Sequence, residues 1–232
     1  MLAFAPTQGS YEAIVSIYED LYKHEEYKEL FFLWEGKPLI MAYPEMLADV
    51  EGDEQRTKLN REIRNFFTFR PGQPVYNVGP QRNDHWGWLE IYPQHGFAPK
   101  PDGGFEQATV GVSQNWTAHN GLSAMNMKGA FGRSYTSRAG HATSADATAK
   151  GLNFQEQWDR ALEIDPDLIF ITGWNEWRAG RYVTWNGVSN AFPAASGRKV
   201  WSHKYLILVS PFFFRNTLFS HCIPESNTAK RT

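Results

Sequence analysis

Apolar positions along the chain change period several times, and each change marks an element. From Ser10 to about His24, the residues Ile14, Ile17, Tyr18, Leu21 and Tyr22 recur at intervals of three and four. That spacing puts them on one face of an amphipathic helix, with Ser10 as the expected N-cap. In "LFFLWEGKPLIMAYPE" two short apolar runs are broken by Glu35-Gly36-Lys37-Pro38, and the second, Leu39 to Tyr43, predicts a buried strand ended by Pro44. The charged stretch "EGDEQRTKLNREIRN" predicts a helix with a solvated face. It feeds into a short strand in "FFTFRPG", stopped at Pro71 and Gly72.

Further on, "EQATVGVSQNW" alternates Val110 and Val112 with small polar partners, as a strand does. The Gly-, Ser-, Ala- and Thr-rich stretch from about Gly129 to Lys150 predicts a long surface loop. Asn153 and Glu156 have the spacing of a capping box, opening a helix whose Phe154, Trp158, Ala161 and Leu162 are expected to face inward. Asp165-Pro166 ends it, and the run from Leu168 to Gly173 reads as a buried strand with Thr172 its one polar residue. Short apolar strands alternating with helices, each strand ending in polar or aromatic residues, predict parallel βα units with the site at the strands' C-terminal ends. The natural closure is a (β/α)8 TIM-type barrel.

About five of the barrel's eight strands are legible, so an incomplete barrel over residues 1–182 is expected from an α/β chain of 232 residues. Residues 183–232 carry a dense apolar run, Tyr205 to Phe214, without helical period. This tail is expected to lie outside the core, as a truncated or mistranslated terminus would. With five strands the barrel keeps open edges, and the chain is expected to be marginal by itself.

Composition narrows the function classes. The chain has 23 basic and 25 acidic residues, a net charge of −2 and no run of Lys or Arg, which argues against nucleic acid or an anionic membrane surface as partner. No stretch approaches the ~20 apolar residues of a membrane span, and Gln8, Gly9 and Ser10 interrupt the N-terminus too early for a secretory signal. A lone cysteine, Cys222, permits neither an intramolecular disulfide nor a Cys-based zinc site. The seven histidines form no His-x-His or HExxH pair, so no metal and no cofactor is implied. The unusual feature is nine Trp, ten Tyr and sixteen Phe, many of them beside polar residues.

The chemistry concentrates where the last apolar strand runs into Trp174, Asn175, Glu176 and Trp177. A carboxylate at the C-terminal end of a barrel strand is placed to act as acid, base or nucleophile. Glu176 is the first candidate, and Glu90, in "WGWLEIYPQH", is the second. Glycoside cleavage needs two carboxylates, one protonating the leaving oxygen while the other attacks the anomeric carbon or activates water. Sugars also need aromatic platforms for their apolar faces and amides or guanidinium groups for their hydroxyls. Trp86, Trp88, Tyr92, Trp174 and Trp177 fit the first need; Gln94, Gln114, Arg133, Asn175 and Arg181 fit the second. Each has a plainer reading: Glu176 pairs with Arg178 or Arg181, the Trp rings pack in the core, and Arg133 makes a surface ion pair. His85 and His95 flank Glu90, and either could orient a carboxylate.

The segment "TGWNEWRAGR", with "GLNFQEQWDRALEIDPDLIFI" before it and "GWLEIYPQ" and "VGVSQN" upstream, resembles the glycoside hydrolase family 71/99-like group, related to the endo-α-mannosidases and the WbsX-like proteins. The resemblance runs from Phe31 to Tyr182 and is most specific at Asn175-Glu176-Trp177. It implies a barrel hydrolase of O-glycosyl bonds, a carbohydrate substrate and a secreted or cell-envelope location. In the endo-mannosidase members the Asn-Glu-Trp motif supplies one catalytic carboxylate, matched here by Glu176, and a Glu three residues later is the general acid. Ala179 occupies that place, and a methyl group donates no proton. Three repairs follow: Glu90 takes the acid role, a residue outside this chain takes it, or the chain binds sugar without cleaving it. The first is preferred, with Glu90 the proton donor and Glu176 ionised.

Overall fold

The computed structural model describes residues 3–24, 26–75, 78–112, 116–117, 121–122, 131–173, 184–185 and 188–189. It is mixed α/β, with sheets of two or three strands, none of which closes into a barrel among the described residues. The chain falls into two compact units. The first comprises the described residues of Met1–Glu90, His95–Thr109 and Ile164–Phe170. The second comprises Ile91–Gln94, the described part of Val110–Glu163, and the described residues from Ile171 onward.

In the first unit, helix α1 (Gln8–Ile17) is capped by Thr7, whose hydroxyl accepts from the Ser10 amide at 3.2 Å. The cap is thus three residues earlier than expected, because Thr7 has the extended backbone that an N-cap needs and Ser10 is already helical. A π turn, Tyr18–Tyr22, continues it. Strands β1 (Leu33–Trp34) and β2 (Lys37–Ile40) form a hairpin, pairing Leu33 with Pro38 and Trp34 with Lys37. Glu35 and Gly36 both take positive φ, 53° and 79°, the requirement of a two-residue turn that matches strand twist. The expected break is therefore a turn of two residues, and Lys37-Pro38 belongs to the strand. Helix α2 (Glu54–Phe66) starts at Asp53, whose carboxylate accepts from the Arg56 amide at 2.9 Å.

Four segments of this unit run parallel in chain order. Ala3 bridges Met41, β2 pairs with β3 (Thr68–Phe69) through Leu39–Thr68 and Ile40–Phe69, and Gly72 bridges Trp86. Helix α1 lies in the chain between the first and second, and α2 between the second and third, the order of βα units. Antiparallel strands β4 (Phe97–Pro99) and β5 (Phe105–Gly111) follow. One core gathers Ile14, Tyr18, Ile40, Ala42, Leu47, Ile63 and Phe67; another gathers Leu39, Met41, Trp86 and Ala98. Burial of such side chains stabilises by roughly 1.5–3 kcal/mol each.

The second unit holds the hairpins β6 (Trp116–Thr117) with β7 (Gly121–Leu122), and β8 (Tyr135–Thr136) with β9 (Gly140–His141). It also holds helix α3 (Leu152–Ile164) as far as Glu163. Strand β10 (Leu168–Thr172) completes the sheet order β10-β5-β4. Its bonds, Asp167 N–H to the Phe105 carbonyl at 3.2 Å and Val112 N–H to the Thr172 carbonyl at 3.1 Å, run β5 and β10 in the same direction. A last hairpin pairs β11 (Thr184–Trp185) with β12 (Val188–Ser189). The rest of the 183–232 tail lies outside the described residues.

Three expectations change here. The described part of the 129–150 stretch is not bare loop: it carries β8, β9 and a 3-10 turn, Ala147–Ala149, with Ser134 and Ala147 buried. The capping box does not form, because Asn153 is already inside α3 and Glu156 instead accepts from the Ser137 amide at 2.8 Å and its hydroxyl at 2.6 Å. The buried face of α3 is Asn153, Gln157 and Ala161, while Leu162 is 54% exposed. On this stripe the Gln157 amide bonds both backbone groups of Gly111 and donates to Asn153 Oδ1, which accounts for two polar side chains inside.

Candidate functional site

The parallel segments of the first unit end at a cleft. Its walls include Phe4, Met41, Tyr43, Gly72, Gln73 and Trp88, which follow or join the C-terminal ends of those segments, and its volume is about 440 Å³. That is within the range of a small-ligand site. The Trp88 ring is 41% exposed, although its backbone is held: its amide donates to the Gln73 side-chain oxygen, and Gln73 Nε2 donates to the Leu89 carbonyl at 2.7 Å. The Tyr43 hydroxyl donates to the Gly72 carbonyl. The cleft is thus an apolar floor with an exposed indole, its backbone fixed by two side chains, Tyr43 and Gln73, that no local sequence pattern marks out.

Glu90, the second candidate carboxylate, is fully buried. The His95 amide donates to Oε2 at 2.9 Å, and His95 Nδ1 lies 2.7 Å from Oε1. Burial raises the pKa of Glu90, against the pull of both His95 contacts, so the net shift is upward. The His95 side chain is 41% exposed. Its ring lies against Gly79, where φ is +72° and an added Cβ would come within 2.7 Å of the ring's Cγ. Only glycine fits there, on both counts. The imidazole that meets the carboxylate is therefore His95. His85 is buried elsewhere, with Nδ1 accepting from the Gln81 amide at 3.3 Å, and desolvation lowers its pKa.

Trp86 is not a sugar platform. It is fully buried, crosses Trp34 edge-on at 5.1 Å, and donates its indole N–H to Glu106 at 2.8 Å. Burial alone would raise the pKa of Glu106, but the Arg70 guanidinium, bonded to both its oxygens at 2.6 and 2.7 Å, and the Trp86 N–H hold it below the ordinary value. A core position with a hydrogen-bond partner absorbs this ring, as often happens with Trp. Gln94 is likewise 1% exposed, its Nε2 donating to Gln157 Oε1 at 2.9 Å, so its amide is used inside the second unit rather than on a sugar. Tyr92 is 37% exposed and precedes the cis Pro93. Arg133, expected at a loop mouth, is 8% exposed and makes no ion pair among the described residues.

Gln114, Trp174, Asn175, Glu176, Trp177 and Arg181 lie outside the described residues. So does the separation of the two candidate carboxyl groups. Among the described residues no cluster of three or more His, Cys, Asp or Glu stands as a metal ligand set, and no helix is long and apolar enough to cross a membrane. Compared with known protein families, curated proteins and solved structures, the chain matches none.

Proposed function

We propose that this chain is a glycoside hydrolase of (β/α)-barrel type that binds a polysaccharide or glycan. Glu176 is its catalytic carboxylate and Glu90 the partner that holds a proton. The observation that carries the reading is the cleft at the C-terminal ends of parallel segments, with the Trp88 indole exposed above an apolar floor. An indole presents a flat apolar face to the C–H face of a sugar ring, while neighbouring polar groups take hydroxyls. The upward pKa shift of Glu90 agrees with a carboxylic acid kept protonated toward neutral pH, the property that a proton donor requires. Glu176 is assigned from its position in "WNEW" at the end of an apolar strand.

One observation favours a second reading, a carbohydrate-binding protein without turnover. Both oxygens of Glu90 are engaged by His95 and none of its surface is exposed, and Ala179 stands three residues after Glu176. A panel of plant, fungal and bacterial polysaccharides separates the two, with reducing-end release and calorimetric affinity measured for the native chain, Glu176→Gln and Trp88→Ala. An enzyme releases sugar and loses about 10³-fold or more of its turnover in Glu176→Gln. A binder shows affinity, no release, and a modest loss in Glu176→Gln. In both, Trp88→Ala weakens binding by about tenfold, as loss of an aromatic platform does. A panel with neither release nor binding removes both readings.

A further inference from the structure

We propose that the proton held at Glu90 enters and leaves through His95, whose imidazole is the general acid that touches the glycosidic oxygen, with Glu90 acting behind it. The inference rests on the glycan reading and changes which side chain meets the substrate.

Glu90 is walled off from any ligand. Its side chain has no exposed surface, and His95 takes both oxygens, the backbone amide donating to Oε2 at 2.9 Å and Nδ1 lying 2.7 Å from Oε1. From that contact the imidazole reaches the surface, its side chain 41% exposed. Which part of the ring is exposed follows from what covers the rest. Nδ1 is turned to Glu90, and the opposite atoms lie against Gly79, where an added Cβ would come within 2.7 Å of Cγ, 2.8 Å of Cδ2 and 3.2 Å of Cβ. The edge formed by Cε1 and Nε2 is left to carry the exposure. A line thus runs, inside the first unit, from a dry carboxyl through both ring nitrogens to a wetted edge. It starts beside the cleft: Glu90 directly follows Trp88 and Leu89, Trp88 lines the cleft, and the Leu89 carbonyl accepts from Gln73, which lines it too.

Among the described residues, the one titratable group that bears on Glu90 is His95. Two acids in such contact titrate as a pair and share a proton. Donation from the pair balances wherever that proton sits. With Glu90 protonated, its O–H donates to Nδ1 and the ring carries its hydrogen at Nε2; with Glu90 ionised, the ring carries a hydrogen on both nitrogens. In either case the Nε2 proton passes to the glycosidic oxygen as the C–O bond breaks and its electron pair leaves with that oxygen. The pair is left as a Glu90 carboxylate accepting from Nδ1–H. The water whose oxygen ends on the anomeric carbon gives one proton back to Nε2, and the pair is restored. The net change is water added across one C–O bond. A buried carboxyl thereby serves a ligand that it never touches, because the imidazole carries its charge change to the surface.

Turnover of the full chain, His95→Gln and Glu90→Gln is measured on the polysaccharide of the panel that releases sugar, and on the dinitrophenyl glycoside of that sugar, whose leaving group needs no proton. Both variants should lose about 10²-fold or more on the polysaccharide and far less on the dinitrophenyl glycoside. Equal loss on the two substrates, as when a residue merely clamps the turn from Glu90 to His95, overturns the acid role, and so does unchanged turnover in His95→Gln. A second readout needs no activity: the ring resonances of His95 are followed against pH. The proton affinity they report should fall by about tenfold or more in Glu90→Gln, since the carboxylate that helps to hold the proton is gone. If Glu90→Gln does not fold, the native chain decides, a common midpoint for the Glu90 carboxyl and the His95 ring supporting the path and separate midpoints overturning it. Coupled titration with no sugar released from any polysaccharide removes the glycan reading and supports the proton path. Release of sugar with separate titrations removes the path and leaves the glycan reading with another acid.

Discussion

In the first unit, two helices and a strand meet through Ile14, Ile40, Leu47, Ile63 and Phe67, side chains with no directional demand, and through Tyr18, whose hydroxyl alone needs a partner and donates to Glu62 at 2.7 Å. At equal depth the second unit holds Gln94, Thr117, Arg133, Ser134, Asn153, Gln157 and Thr172, with Val110, Val112, Ala147 and Ala161 as its buried apolar share. Gln157 shows what the second arrangement achieves. Its Oε1 accepts from the Gly111 amide at 3.0 Å and from Gln94 at 2.9 Å, while its Nε2 donates to the Gly111 carbonyl at 3.0 Å and to Asn153 Oδ1 at 2.9 Å. One amide thereby satisfies both backbone groups of a residue at the end of β5. The difference is one of tolerance: apolar burial sums with area and survives small displacements, whereas a buried amide stabilises only while its partners stay aligned.

The contrast breaks most visibly at Phe67. Its ring meets those of Tyr18, Tyr22, Phe66 and Phe69, and Phe67→Ala is expected to lower stability by about 3–5 kcal/mol in urea unfolding. A loss under about 1 kcal/mol would mean that this cluster does not hold the first unit. Next in size is Gln157→Leu, close in volume but unable to bond Gly111. Stranding buried backbone groups should cost about 2 kcal/mol, with faster hydrogen exchange at the Gly111 amide. Were Gln157→Leu neutral, the polar interior would be incidental to stability.

The smallest effect is a pH trend at Glu90. Burial raises its folded pKa above the ordinary 4.5. A raised pKa contributes stability that is fully present below the unfolded value and is lost as pH rises through the folded one. Relative to Glu90→Gln, the native chain should therefore lose Tm as pH climbs from about 4 toward neutrality. A difference that stays flat, or moves the other way, would return Glu90 to an ordinary ionised partner of His95.

What the sequence disclosed follows the same division. Period and breaker residues found α1, α2, β2, β3, β5 and β10 to within a few residues, because apolar contacts leave a repeating trace. On α3 they found Ala161 but missed Asn153 and Gln157, which look like solvent-facing residues until the bonds from Gln157 to Gly111 and to Asn153 supply the reason for their burial. Of the candidate residues, Trp88 and Glu90 stood out by type and neighbourhood, but the exposure of the first on the cleft and the burial of the second against His95 did not. Trp86 was not separable from Trp88 by composition, since what distinguishes them is a partner twenty residues away, Glu106. Tyr43, Gln73 and the Glu90–His95 contact depend on which loops meet, and no local pattern encodes that. Arg133 was noticed for its charge, but its burial is visible only in three dimensions.

The interleaving of the two units bears on how the chain is made. Membership changes at 90/91, 94/95, 109/110, 163/164 and 170/171, and two of these points fall inside β5 and β10. During synthesis, domains generally fold as units, N-terminal first, as the chain emerges from the ribosome at about 5–20 residues per second. Here the first unit cannot be completed in that way, because its Ile164–Phe170 segment is translated only after the whole of the second unit's Val110–Glu163. At those rates the interval between Thr109 and Phe170 is about 3–12 s, during which β5 waits without its parallel neighbour. A nascent chain stalled in that interval would present the unpaired edge of β5 to any chaperone or neighbouring strand able to bind it.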